Sequence, residues 1–144
     1  MRLELEGGFE LDDDRSRIDR DAVHRYLSEE SYWALGRSRD VQDAVIDESE
    51  RVVGLYHEGR QVGFSRAVSD GHIHAYLADV YVLPEFRGRG LGMALVRFSV
   101  EESPFAGCRW VLHTADAHEL YRKFGFGAPT DRLLERPRSS SPRT

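Results

Sequence analysis

Apolar positions recur along this chain in two rhythms, every second residue in some runs and every third or fourth in others. Weak alternation in "RLELEGGFELDDD" predicts a first strand or hairpin. In "DRDAVHRYLSEES", Val23, Tyr26 and Leu27 share a helical face, and Asp19 or Asp21 supplies a capping oxygen. "SRDVQDAVIDES" predicts a second helix, with Ser38 as N-cap and Val41, Ala44 and Val45 on one face. Between the two, "SYWALGRS" reads as a loop carrying two large aromatics. "RVVGLYHEGRQVGFSRAVSDG" is a hairpin, two apolar runs about the polar turn "HEGR". "HIHAYLADVYVL" is nearly all apolar, as expected in the middle of a sheet, and Pro84 ends it.

From Leu91 the apolar residues fall at 91, 94, 95 and 98, the stripe of an amphipathic helix. "CRWVLHT" then predicts a strand. "DAHELYRKFGF" predicts a short helix, with Asp116 placed to cap it and Gly125 where a left-handed C-cap falls. "DRLLER" reads as a last strand, and "PRSSSPRT" as a polar, frayed tail. No repeat or linker divides the chain, so residues 1–136 are expected to form one domain, with 137–144 as the tail. The order β-α-α-β-β-β-α-β-α-β implies an α/β fold: a mixed, mostly antiparallel central sheet flanked by helices, with one strand–helix–strand crossover.

Composition narrows the function classes. A chain of 144 residues suits one core. A formal charge of −5 argues against a general nucleic-acid binder, though not against a local basic site. Cys108 is the sole cysteine, which rules out an internal disulfide or multi-cysteine metal site and suggests a reducing compartment. The acidic start has no apolar run of a signal peptide, and no stretch approaches a membrane span, so a cytoplasmic protein without membrane contact is expected.

The candidate chemistry centres on "VLPEFRGRGLG", residues 82–92. A strand running into a glycine-rich turn and then a helix start is suited to an anion. Unpaired N–H groups and the helix dipole converge there, and glycines let the backbone come close. Arg87 and Arg89 add charge and forked donors. A tight turn with solvated arginines is the plainer alternative. No lysine followed by serine or threonine makes this a P-loop, and the spacing Gly88, Gly90, Gly92 does not match the dinucleotide fingerprint.

With those residues in view, "VLPEFRGRGLGMALV" resembles the acetyl-coenzyme A signature of the GNAT acyltransferase superfamily. A tyrosine in a short helix ahead of a Gly-Phe pair, "LYRKFGF" with Tyr121, Gly125 and Phe126, is similar to that family's second mark. The two lie about thirty residues apart with one strand between, and the resemblance is sharp over residues 74–127. It implies a GNAT-like sandwich with acetyl-CoA as cosubstrate and no metal. The backbone of Gly88, Arg89, Gly90, Leu91 and Gly92 would hold the pyrophosphate. Val82 and Leu83 would pair with the pantetheine arm, and a backbone N–H there would polarise the thioester carbonyl. Tyr121 would be the acid for the leaving thiolate. The asparagine often found after the next strand is missing from "HTADAH", where Asp116 or His118 stand as substitutes. The resemblance also admits a homodimer.

Other residues have two readings. Asp79 is an acid inside an apolar strand. It either draws or deprotonates an amine or pairs with an arginine. In "SEESYWALGRS", Tyr32 and Trp33 offer an apolar wall for the acceptor, and Glu29 and Glu30 a pull on a cation; the alternative is core packing and solvated charge. His72, His74, His113 and His118 form no metal-ligand spacing, and Cys108 suits packing better than nucleophilic attack. The reading is an N-acetyltransferase acting on a small-molecule or peptide amine by direct attack in a ternary complex. A coenzyme A-binding sensor or scaffold with little turnover is the alternative, and a binder of some other phosphate ligand a third.

Overall fold

The computed structural model describes residues 1–139. Alternation in the first dozen residues produces β1 (Arg2–Leu5) and β2 (Phe9–Asp12), joined by a tight turn at Glu6–Gly8. Two helices follow, α1 (Arg20–Glu29) and α2 (Arg39–Glu48). Asp19 caps the first by accepting from Ala22 N, and Ser38 caps the second by accepting from Val41 N. The long central run becomes β3 (Arg51–His57), β4 (Arg60–Ser69) and β5 (His74–Val82). Then come α3 (Leu91–Val100), β6 (Arg109–Val111) and α4 (His118–Arg122).

The six strands form one sheet in chain order, antiparallel throughout except for the parallel β5–β6 pair. A parallel neighbour needs a crossover, and α3 supplies it. Side chains alternate across the sheet, so adjacent residues enter different layers. Val53 joins Leu91, Leu95 and Phe98 of α3 on one face. Val52 joins Val23, Leu27 and Ile46 of α1 and α2 on the other. A third cluster sets Val96 and Val100 of α3 and Leu77 of β5 against Tyr121 of α4. Buried Arg51 ties the layers, donating to the carbonyls of Phe98 and Ser99 and, through Nε, to Asp13.

Four local expectations need correction. The buried face of α2 is Gln42 and Ile46, while Val41 and Val45 are half-buried and Ala44 exposed, because Gln42 turns inward to accept from Arg37. Asp116 does not cap α4; Thr114 Oγ1 accepts from Ala117 N instead. The strand expected over "CRWVLHT" runs only from Arg109 to Val111. "DRLLER" is no strand: its two adjacent leucines present no alternating face, and both are exposed. Of the expected tail, residues 140–144 lie outside the described residues.

Candidate active site

Two irregularities in β5 build the site. β5 pairs with β6 only from His74 to Tyr76 and then runs on to Val82 without it, so the sheet opens along the far half of β5. A bulge falls in the same stretch. Phe64 faces Tyr81 and Arg66 faces Ala78, so Ser65 of β4 is opposed by both Asp79 and Val80. Asp79 takes a left-handed backbone there, φ 56°, which carboxamide and carboxylate residues tolerate better than most. The bulge re-aims the Asp79 side chain into the layer beneath the α1–α2 loop.

The open edge has usable backbone. Leu83 N–H bonds Val62 O at 2.8 Å, so that donor is already used, and Leu83 O accepts from Phe86 N. Since Leu83 N–H faces β4, alternation turns Val82 towards the open edge. Its carbonyl accepts there from Arg87 Nε at 2.9 Å. Of the two residues expected to pair with pantetheine, Val82 has its N–H on the open edge, whereas the N–H of Leu83 is bonded to β4.

Beyond β5 a short turn at Pro84–Phe86 leads into the glycine loop. Gly88 and Gly90 take φ 80° and 77°, a region that favours glycine, and added Cβ atoms there would meet nothing within 4 Å. Gly92 also opens onto free space, with no conformational demand. The first backbone bond of α3 runs from Ala94 N to Gly90 O, so the N–H groups of Leu91, Gly92 and Met93 have no acceptor within the helix. This open, positive cradle fits a pyrophosphate. Arg87 points back into the protein, its Nη2 donating to Tyr26 OH at 2.9 Å, and Tyr26 stacks on Tyr81 at 4.0 Å between ring centres. Arg87 therefore braces the loop against α1 and β5. Arg89 is exposed, its guanidinium over the Phe86 ring.

Where β5 and β6 part lies a cleft of about 450 Å³. Tyr32, Trp33, Asp79 and Tyr121 line it together, although they come from three separate segments, the α1–α2 loop, β5 and α4. Glu29 and Glu30 do not; both are exposed, and Glu30 faces a separate hollow between α1 and Leu83. Tyr32 closes one end, its hydroxyl accepting from Ala115 N at 2.8 Å, and its ring meets Trp33 edge to face. Asp116 lines the cleft, whereas His118 does not.

Asp79 is not free. Its side chain is 1% exposed, and four donors surround it. Trp33 Nε1 (2.9 Å) and Arg37 Nη2 (3.3 Å) meet Oδ1; Arg37 Nη1 (2.8 Å) and Arg66 Nε (2.6 Å) meet Oδ2. A carboxylate has about four acceptor positions, and all are filled. Burial pushes the Asp79 carboxyl up, but the Arg66 and Arg37 guanidiniums outweigh it and hold the group below its usual range. Arg37 and Arg66 carry no motif, and their sequence separations from Asp79 of 42 and 13 residues hide the cluster from a linear reading.

Tyr121 is buried in the third cluster, and among the described residues its hydroxyl has no hydrogen-bond partner. Burial first, then Tyr32 and Asp116, push its phenol up to about 12. It is a protonated donor facing the cleft. A second polar chain reaches the same cleft: Tyr76 OH meets His113 Nδ1, and His113 Nε2 meets Glu135. The carboxylate only accepts, so Nε2 carries the proton and Nδ1 presents its lone pair to the tyrosine. Sequence reading placed His113 near the end of the strand "CRWVLHT" with no metal-ligand spacing, and nothing in "DRLLER" marked Glu135 as its partner. Among the described residues no group of three or more His, Cys, Asp or Glu side chains is arranged to hold a metal, and no helix is long and apolar enough to cross a membrane.

The sheet is thus split along one strand, with an open glycine loop at the strand's end and a cleft along its unpaired half. The profile of the Acetyltransferase (GNAT) family matches residues 15–126, and the chain belongs to that family. It is 28% identical over 123 residues to the uncharacterised N-acetyltransferase ycf52 of Gracilaria tenuistipitata var. liui, covering 72% of this chain and 68% of that one. A GNAT-family protein from Xanthomonas campestris pv. campestris has a solved structure similar to this one, with 40% identity, a TM-score of 0.84 and coverage of 90% of this chain and 92% of that one. Glucosamine-6-phosphate N-acetyltransferase from Arabidopsis thaliana shares the fold alone, at 16% identity and TM-score 0.62, over 89% of this chain and 97% of that one.

Proposed function

We propose that this protein transfers an acetyl group from acetyl-CoA to an amine acceptor by direct attack within a ternary complex. One observation carries the reading: the anion cradle and the cleft lie along the same open edge of β5. A ligand anchored by phosphate at Gly88–Gly92 and extended past Val82 reaches the cleft containing Tyr121. Acetyl-CoA supplies an activated acyl group on a good leaving group. The chain does the rest. Leu91, Gly92 and Met93 present N–H groups to the pyrophosphate, and Val82 N–H polarises the acyl carbonyl. Tyr121 holds a proton for the departing thiolate.

Asp79 has a positioning role in this scheme. With its acceptor positions filled and its pKa lowered, it is a poor base, and it fixes Trp33 and two arginines around the acceptor. The amine's proton passes instead towards His113, the one imidazole in the cleft lining among the described residues, through Tyr76 or directly, with Glu135 balancing the imidazolium. The test is thiol release from acetyl-CoA across an amine panel, with acetylated product confirmed by mass. Release that depends on amine supports the reading. Tight acetyl-CoA binding without amine-dependent release would favour a sensor or scaffold.

A further inference from the structure

We propose that the acceptor amine carries its own oxyanion, a carboxylate or phosphate, and that Arg66 receives it; this rests on the acetyl-transfer reading above. The sequence points the other way, to a cationic acceptor drawn by Glu29, Glu30 and Asp79. The structure removes all three from that role. Glu29 and Glu30 lie outside the cleft lining, and the four acceptor positions of Asp79 are filled.

What remains in the wall is an excess of positive charge. Two guanidiniums, Arg37 and Arg66, share one carboxylate, and their side chains are 9% and 13% exposed. A charge so far removed from water is costly unless a counter-charge approaches it. Arg66 is also short of acceptors. Its Nε bonds Asp79, its Nη1 makes only a long 3.4 Å contact with Ser49 Oγ, and its Nη2 has no partner among the described residues. Arg138 adds a third cation to the lining, against the single further carboxylate of Asp116. A planar fork with open donors at the wall of a cleft matches an oxyanion.

The oxyanion must come with the acceptor. The phosphates of acetyl-CoA belong at the glycine loop. Arg66 lies three residues along β4 from Gly63, the partner of Val82, about 10 Å from that end of the strand. The part of acetyl-CoA that reaches the cleft is uncharged. Trp33, fixed to the same Asp79, then walls the acceptor's carbon frame.

The experiment compares initial rates of thiol release for matched acceptors with the wild-type protein: amino acids against their decarboxylated amines, and phosphoethanolamine against ethanolamine. The oxyanion-bearing member should be favoured in kcat/KM by about tenfold or more, and added salt should erode the margin. The carboxylate and phosphate arms show which oxyanion is used. Arg66→Lys keeps the charge beside Asp79 but loses the fork, so the preference should shrink through KM while acetyl-CoA affinity is unchanged. If Arg66→Lys does not fold, the wild-type preference decides alone. Turnover with equal or greater preference for the plain amines would overturn the oxyanion site and leave acetyl transfer standing. No turnover with any amine, despite acetyl-CoA binding, would overturn both.

Discussion

The glycine loop and the Asp79 cluster lie at opposite ends of the open half of β5, and they are built on opposite principles. The loop is bare: Gly88 and Gly90 hold left-handed backbone with free space above them, and the first N–H groups of α3 have no acceptor in the helix. The cluster is saturated: Asp79 is buried with every acceptor position filled. In the proposed mechanism the loop works through groups left unmatched until a ligand arrives, and the cluster through one carboxylate matched so fully that it holds Trp33 and Arg66 in place. Disturbing the first should change binding and leave the fold. Disturbing the second should change the fold as well.

The largest expected effects are on chemistry in the cleft that the cluster helps to wall. Tyr121→Phe keeps the ring in its cluster and removes the proton, and His113→Gln removes the imidazole from the cleft lining. Each should lower kcat by about 10²–10⁴ with acetyl-CoA affinity unchanged, read by steady-state thiol release and calorimetry. Full kcat in Tyr121→Phe, with chemistry limiting, would make that residue a packing group. Because burial pushes the phenol up to about 12, loss of this acid should not impose an alkaline fall in kcat near pH 10, where a free tyrosine would titrate.

Breaking the cluster comes next. Asp79→Ala leaves two buried guanidiniums facing each other, and stability should drop by about 3–5 kcal/mol in urea unfolding. A variant of wild-type stability would contradict the buried, saturated cluster. At the loop, Arg87→Ala removes the brace to Val82 O and Tyr26 OH, and should weaken acetyl-CoA by about 1–3 kcal/mol with little change in stability.

The gentlest disturbance is acid. The Asp79 carboxyl is held below its usual value, so its contribution to stability is present above the unfolded carboxylate range near pH 4 and is lost as pH falls through the folded value. Melting temperature should be insensitive to this group between pH 7 and about 5, then decline below about 4. Asp79→Ala should show a smaller decline over the same interval.

The same contrast explains what could be read from the chain in advance. The loop is local: proline, glycines and the helix stripe lie within one short stretch, and their backbone demands show in residue type alone. The hairpins, the apolar β5 and the Tyr121 helix were legible for the same reason. The cluster is assembled from Trp33, Arg37 and Arg66 across sequence separations of 46, 42 and 13 residues. No local pattern marks an arginine in "GRS" as a buried partner. The same inward pull, acting on Gln42, displaced the expected apolar face of α2. The bulge that makes room for Asp79 is likewise a property of β4 and β5 together.

The central claim is that the loop holds acetyl-CoA and the cleft holds the acceptor. Calorimetry and turnover on Gly90→Val and Trp33→Ala side by side test it directly. Gly90→Val puts a branched side chain into the cradle at a left-handed position and should abolish measurable acetyl-CoA binding in a folded protein. Trp33→Ala should bind acetyl-CoA as the wild type does and lose amine-dependent thiol release. Unchanged acetyl-CoA affinity in Gly90→Val, or lost affinity in Trp33→Ala, would contradict the division of labour along β5.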